Sequence, residues 1–258
     1  MSTAIHDTWS MTVRELLKLW RQPWWIAVTL VQPVIWLLLF GALFEGITAL
    51  PGFGGDDYTQ YLTPGIVMMT AFFSAGWSGM PMIEDLQKGV MDRLLVTPVR
   101  RGPLIGGRLL QGALVIVIQS LIIVGLALAV GASFPGGVPG VLVLIVIAAM
   151  LGTGWAALSN GLALVTRQEE TLIGVLTFLM LPLSFLSTTF LPEQLMPDWI
   201  ASIAEFNPLN WAVVAGREAL VADTDWGEVA LQGALVLAFM AAAFLVATRA
   251  FRAYQRSV

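Results

Sequence analysis

Six stretches of the chain carry no Asp, Glu, Lys or Arg at all: Ile26 to Phe44, Leu62 to Ile83, Leu109 to Val130, Pro139 to Val165, Thr171 to Leu191 and Val229 to Thr248. Wound as a helix at about 1.5 Å per residue, each reaches across a hydrocarbon core of about 30 Å. A charge at a span centre costs about 2.5–3.5 kcal/mol on insertion scales, so the uncharged runs mark the spans. The expected fold is all-α and integral to the membrane, with six transmembrane helices. A composition of 57% hydrophobic and 12% charged residues, with a mean hydropathy of +0.82, points the same way. Spans and short connecting loops use up the 258 residues and leave no room for a separate catalytic domain.

The charges outside the runs are sorted by side. Of the 13 Lys and Arg, three precede the first run, five lie between the second and third, one follows the fourth and three close the chain. Only Arg217 falls elsewhere. An excess of basic residues marks the cytoplasmic face, which places both termini there. The first outer loop carries Glu45, Asp56 and Asp57 and no base. A net charge of −4 argues against nucleic acid as a partner. There is no cysteine for a disulfide or thiolate site, and the single histidine, His6, lies in the N-terminal tail. With no ionisable group in any run, a proton relay or ion-coupling site is disfavoured. The chain has no GxxxxGK[ST], GxSxG or HExxH, so it holds no P-loop. Ser74, Ser78, Gln119, Ser159 and Asn160 remain as polar groups in the runs. They serve either as interhelical hydrogen-bonding groups, the commoner use, or as the working groups of an intramembrane enzyme.

Three segments between the runs have patterns of their own. Over 7–25, Trp9, Val13, Leu16, Leu17 and Trp20 share one helical face opposite Arg14, Glu15, Lys18 and Arg21. This reads as a helix in the headgroup plane or as an ordinary solvated one, ended by Pro23. Over 84–108, Leu86, Val90, Leu94 and Leu95 recur at helical spacing among Lys88, Asp92 and Arg93, and Pro98 stops the helix at Thr97. This charged island is a solvated or lipid-surface loop on one reading and a docking surface for a cytoplasmic partner on the other. Over 192–222, two proline-separated amphipathic pieces, one with Trp199, Ile200 and Ile203 and one with Leu209, Trp211, Val213, Val214 and Leu220, are too apolar for a linker and too broken to cross. They read as short helices dipping into the outer leaflet, either as a cap over a path or as an interfacial lid. Trp36, Phe40, Phe72, Phe73, Trp77, Phe178 and Phe185, all within the runs, either line a solute path or pack against lipid and neighbouring helices.

The assembled order resembles the ABC-2-type permease family, the membrane subunit of exporters driven by a separate ATP-binding chain, in particular its daunorubicin-resistance-like branch. The resemblance covers nearly the whole chain. Two stretches carry it: Glu84, Lys88-Gly89, Asp92-Arg93-Leu94 and Thr97-Pro98 in the island, and the proline-punctuated segment from Pro182 to Arg217 with its Asn207-Pro208-Leu209. The resemblance implies that 7–25 is a connecting helix. It implies that 84–108 couples to the ATPase through Glu84, Leu86, Lys88, Val90, Asp92, Arg93, Leu94 and Leu95. It implies that Pro192, Trp199, Asn207, Pro208 and Trp211 belong to an outer gate of re-entrant helices. A second copy of this chain or a homologous permease, two ATP-binding subunits and the surrounding lipid are the implied partners. ATP and Mg would be bound by those subunits, with no cofactor in this chain. The implied setting is the bacterial cytoplasmic (inner) membrane, and the implied task is multidrug efflux, the export of hydrophobic or amphipathic drugs or lipids. The competing reading is a nucleotide-independent channel, or an anchor that recruits a cytoplasmic protein through the same island.

Overall fold

The computed structural model describes residues 23–49, 53, 57–88 and 101–257, and among them every regular element is helical. The amphipathic helix expected over 7–25 lies outside the described residues up to Gln22. Helix α1 (Pro23–Leu43) opens on Pro23, whose missing N–H is harmless in a first turn, and keeps Pro33 in its interior. Asp57 caps α2 (Tyr58–Gly76) by accepting the Thr59 N–H at 2.8 Å, so the second span starts four residues before the expected Leu62. A single 3₁₀ turn, Trp77–Gly79, joins α2 to α3 (Met80–Gln87). Helix α4 (Arg101–Val130) begins eight residues ahead of the uncharged run that starts at Leu109. It is followed by α5 (Gly137–Thr166), α6 (Glu169–Phe185), the short α7 (Asp198–Ala204) and α8 (Pro208–Glu218), and the long α9 (Trp226–Ser257). Asp225 starts α9 by accepting the N–H groups of Gly227 at 2.8 Å and Glu228 at 3.3 Å.

Among the described residues, four stretches are long and apolar enough to cross a membrane: Tyr58–Gln87, Leu109–Val130, Gly137–Thr166 and Trp226–Tyr254. Helix α1 supplies a shorter apolar stretch, Val28–Leu43. The fifth uncharged run departs most from the sequence reading. It was expected to stay helical from Thr171 to Leu191, yet α6 is 17 residues long and stops at Phe185, a rise of about 25 Å. Pro182 is the local reason: it has no N–H to give to the preceding turn, and the helix closes one turn later with the Leu186 N–H on the Pro182 carbonyl at 2.8 Å. Ser187, Thr188 and Thr189 beyond it are buried without being helical.

Helix α5 is the centre of the bundle and packs against α9, α4, α2 and α8. Small residues let it do so. A Cβ on Gly154 would stand 3.0 Å from Met240 Cα and one on Gly161 3.1 Å from Ala247 Cα, two close approaches to α9 spaced seven residues apart on both helices. On another face, the 3₁₀ turn is bolted to α5 by polar contacts. The Gly79 N–H donates to Ser159 Oγ at 3.0 Å, Ser159 Oγ donates to the Gly76 carbonyl, and Ser78 Oγ donates to the Ala156 carbonyl at 3.2 Å. Asn160 Nδ2 completes the set by donating to Ser78 Oγ at 3.2 Å. Of the polar residues that the sequence left with two uses, Ser78, Ser159 and Asn160 therefore bind helix to helix. The outward faces are apolar: Val31, Ile35 and Leu39 on α1 and Val146 on α5 are each more than half exposed.

A Cβ on Gly79 would stand 2.6 Å from the Ser159 carbonyl oxygen, which is backbone and cannot swing away. Gly79→Ala is expected to cost about 1–3 kcal/mol through overpacking and to lower the melting temperature of the detergent-purified chain. Gly174→Ala, with open space around the new methyl group, is expected to leave it unchanged or raise it. Differential scanning fluorimetry of the two variants checks both.

Candidate functional site

Three regions of the fold hold the residues that the sequence singled out, and the outer cap is the most fully built. Where α6 ends, the non-helical stretch from Leu186 to Phe190 exposes backbone groups that need partners away from water. Side chains supply them. Asn207 caps α8 by accepting the Leu209 N–H at 3.0 Å, and its Nδ2 donates to the Leu183 and Leu186 carbonyls, each at 2.7 Å. Asn210 Oδ1 accepts both the N–H and the Oγ1–H of Thr188 at 2.8 Å. Tyr61 donates to the Thr188 carbonyl at 2.8 Å and Tyr58 to the Phe190 carbonyl at 3.0 Å, which ties the stretch to the first turn of α2.

Arg217, the one basic residue outside the charge pattern, belongs to this network. Its Nη2 donates to the Thr188 carbonyl at 2.8 Å, and its guanidinium carbon lies 3.7 Å from the centroid of the Tyr61 ring. Planar delocalised charge suits this position: the fork reaches a carbonyl while the face stacks on an aromatic ring. Of the expected outer residues, Asn207 is buried and central and Pro208 opens α8 as its first residue. Trp211 holds the connection between α7 and α8 through an indole N–H donated to the Glu205 carbonyl at 2.6 Å. Pro192 is buried, whereas Trp199 on α7 is 62% exposed and faces away from the network.

The second region is a groove of about 170 Å³ between α1, α2 and α4. Trp36, Phe73 and Trp77 line it, together with the polar residues Thr29, Gln32, Thr70, Ser74 and Gln119. Among the described residues, no Asp, Glu, Lys or Arg borders it. The other aromatics expected on a solute path lie elsewhere. Phe72 is buried against Trp155 with ring centroids 4.4 Å apart, on a different face of α2 from Phe73. Phe40 stacks between Phe44 and Phe190 under the outer cap. Phe178 and Phe185, 77% and 56% exposed, face outward from α6. Adjacent residues on a helix point about 100° apart, so Phe72 and Phe73 could not both reach the groove.

The third region is the inner end. Helix α3 carries Glu84 and Leu86, and Lys88 follows it. Lys88 Nζ donates to Glu84 Oε2 at 2.9 Å, one helical turn apart, and this hydrogen bond raises the lysine pKa above its ordinary value. Leu86 packs against the core. Val90, Asp92, Arg93, Leu94 and Leu95 lie outside the described residues. At the same end of the bundle the Arg167 guanidinium covers the Tyr254 ring at 4.9 Å, which joins the turn between α5 and α6 to the end of α9.

A model of the ABC-2 type transporter family matches residues 6–221. The chain belongs to this family. Among its relatives are ycf38 of Porphyra purpurea, named as a transport permease, 30% identical over 223 residues that make up 86% of this chain and 76% of that one. The daunorubicin resistance ABC transporter permease DrrB1 of Streptomyces coeruleorubidus is 26% identical over 89% of this chain and 80% of its own. The inner membrane transport permease YadH of Escherichia coli K12 is 26% identical over 94% and 92%. The chain is thus a multi-pass transport permease, the membrane subunit without an ATPase domain, and permeases of this family work with ATP-binding subunits.

In this permease the cap residues that sequence reading missed are Tyr58, Tyr61, Thr188, Asn210 and Arg217. The surplus Arg217 was the available signal, since a lone cation away from the basic side has to be paired locally. Arg217→Met removes a charge-assisted hydrogen bond and the ring contact, and is expected to destabilise the permease by about 1.5–3 kcal/mol. Arg217→Lys, which keeps the charge and loses the planar fork, is expected to recover only part of that. Thermal melts, together with protease cleavage of 186–197 from the outer side, provide the measurement.

Proposed function

We propose that this permease builds half of the membrane portion of an ATP-driven exporter and moves hydrophobic or amphipathic small molecules, drugs or lipids, out of the cell. It would pass the inner membrane six times with both termini cytoplasmic, pair with a second copy or a homologous permease, and be driven by two ATP-binding subunits. The observation that carries the substrate class is the groove: aromatic walls, isolated polar groups and, among the described residues, no charge favour an apolar body over a sugar or an ion. The printed name of the relative DrrB1, a daunorubicin resistance permease, is consistent with that class.

The same reading gives each region a task. The island over 84–108 is the coupling segment seated on the ATPase, with Glu84, Leu86, Lys88, Val90, Asp92, Arg93, Leu94 and Leu95 at the contact. Pro192, Trp199, Asn207, Pro208 and Trp211 form an outer gate. ATP binding in the partner favours one arrangement of the docked segment over another, and this difference in contact energy tilts α2 and α4 and turns the path outward. Support for the orientation comes from charge: Lys88, Arg167, Arg249 and Arg252 gather toward the inner end, opposite the cap.

Leu94→Asp and Arg93→Glu are the decisive variants because they alter the proposed contact and no span. With the partner ATPase in proteoliposomes, each is expected to lower solute-stimulated hydrolysis and export at least tenfold while the permease stays folded and inserted. Unchanged hydrolysis and export in both would overturn the coupling. Solute flux through the wild-type chain without nucleotide would establish a channel instead.

A further inference from the structure

The groove contains a polar group that its own walls do not satisfy. Gln119 is 1% exposed and borders the groove from α4. Its Nε2 donates to Thr29 Oγ1 at 3.3 Å, and among the described residues no donor reaches its Oε1. Thr70 Oγ1 donates to the Ile66 carbonyl at 2.7 Å and Ser120 Oγ to the Ile116 carbonyl at 2.7 Å, while Ser74 and Gln32 border the groove without a hydrogen bond to Gln119. A buried carbonyl oxygen without a donor is costly, and more so in a membrane. Gln119 stands ten residues into the 22-residue apolar run Leu109–Val130, about 15 Å of helical rise from its inner end. At that depth lipid headgroups do not reach, and acyl chains carry no donor.

We propose that Gln119 Oε1 is a specificity-determining acceptor, and that the groove seats an aromatic ring bearing one N–H or O–H aimed at that oxygen. This rests on the reading of the groove as a solute site. Two further observations fix the ligand class. A volume of about 170 Å³ is close to that of cavities that hold a single aromatic ring, so the groove takes the ring end of a larger solute and not the whole of it. Trp36, Phe73 and Trp77 give the walls an aromatic surface suited to a flat partner, and with no charged group bordering the groove among the described residues a neutral hydrogen bond is left as the polar contact. A site built to pair with a donor discriminates strongly against the analogue that lacks it, because its own polar group is then left unpaired. The acceptor thus sorts ring-bearing solutes by a single proton.

Indole and N-methylindole, identical except that a methyl group replaces the hydrogen on nitrogen, are the probes. Their binding to the full chain is measured in nanodiscs of phosphatidylethanolamine and phosphatidylglycerol, with empty nanodiscs used to subtract partitioning into lipid. The wild type is expected to bind indole saturably and at least tenfold more tightly than N-methylindole. Gln119→Met, of similar shape without the oxygen, is expected to bring indole to the level of N-methylindole, and Trp77→Ala to weaken both. Equal affinities in the wild type, which needs no variant to fold, would overturn the proposal. So would discrimination that survives in Gln119→Met, or no saturable binding, the result if lipid or a second copy fills the groove. Equal affinities that Trp77→Ala nevertheless weakens would remove Gln119 alone and leave the groove as a solute site. Discrimination intact in a complex whose ATP hydrolysis moves neither probe would remove the export reading and leave the site.

Discussion

The demand that every backbone polar group find a partner away from water governs this structure. Helices meet it internally, and the bundle meets it easily wherever the runs stay helical. The end of α6 is where it must be met by other means. Pro182 ends that helix one turn later, and the stretch beyond it turns back under the cap with its carbonyls facing protein. Tyr58 and Tyr61 of α2, with Asn210, Arg217 and the capping Asn207 of α8, converge on Leu183, Leu186, Thr188 and Phe190. The irregular backbone is possible because those groups are present, and they in turn fix α8 against α2.

The same demand shapes the joint between α2 and α5. A 3₁₀ turn inside a long helix leaves poorer backbone geometry than α-helix, and here Ser159, Ser78 and Asn160 stand beside it as substitutes. Close approach is the precondition, and Gly79 provides it, since a side chain there would enter Ser159, while Gly76 gives the same room to Met180 of α6. On its other face α5 uses Gly154 and Gly161 in the same way toward α9. Small residues thus do two jobs around α5: they let apolar surfaces meet, and they bring hydroxyls within reach of a backbone that needs them.

Much of this architecture was legible in the chain. The uncharged runs located the long helices, and Asn207-Pro208 announced a new helix start that the structure shows capped by the asparagine itself. Hydropathy could not reveal where α6 ends, because Ser187, Thr188 and Thr189 are as acceptable to an apolar average inside a helix as in a buried turn. It could not divide the aromatics either: Phe73 reaches the groove, Phe72 fills the core, and Phe178 and Phe185 face outward, a sorting made by helix rotation and neighbours. Gln119 looked like any interhelical amide in the sequence. Only the packing of α1 on α4 shows that one half of it is paired with Thr29 and the other half is not.

The element common to all three regions is the rod formed by α2, the 3₁₀ turn and α3. Its first turn carries Tyr58 and Tyr61 into the cap, its middle gives Phe73 to the groove, and its far end carries Glu84. Trp77 is both the first residue of the 3₁₀ turn and a wall of the groove, so the one irregular point in the rod lies where a solute would sit. In the proposed transport cycle this placement matters more than the length of the rod. A continuous α-helix would pass a tilt from its inner end to its outer end unchanged, whereas a tighter turn held by Ser159 can take up part of the tilt at the groove. A displacement of α3 by the partner would then be felt first by the side chains around the solute and only afterwards by the tyrosines under the cap. That order suits a path that must loosen its grip before it opens.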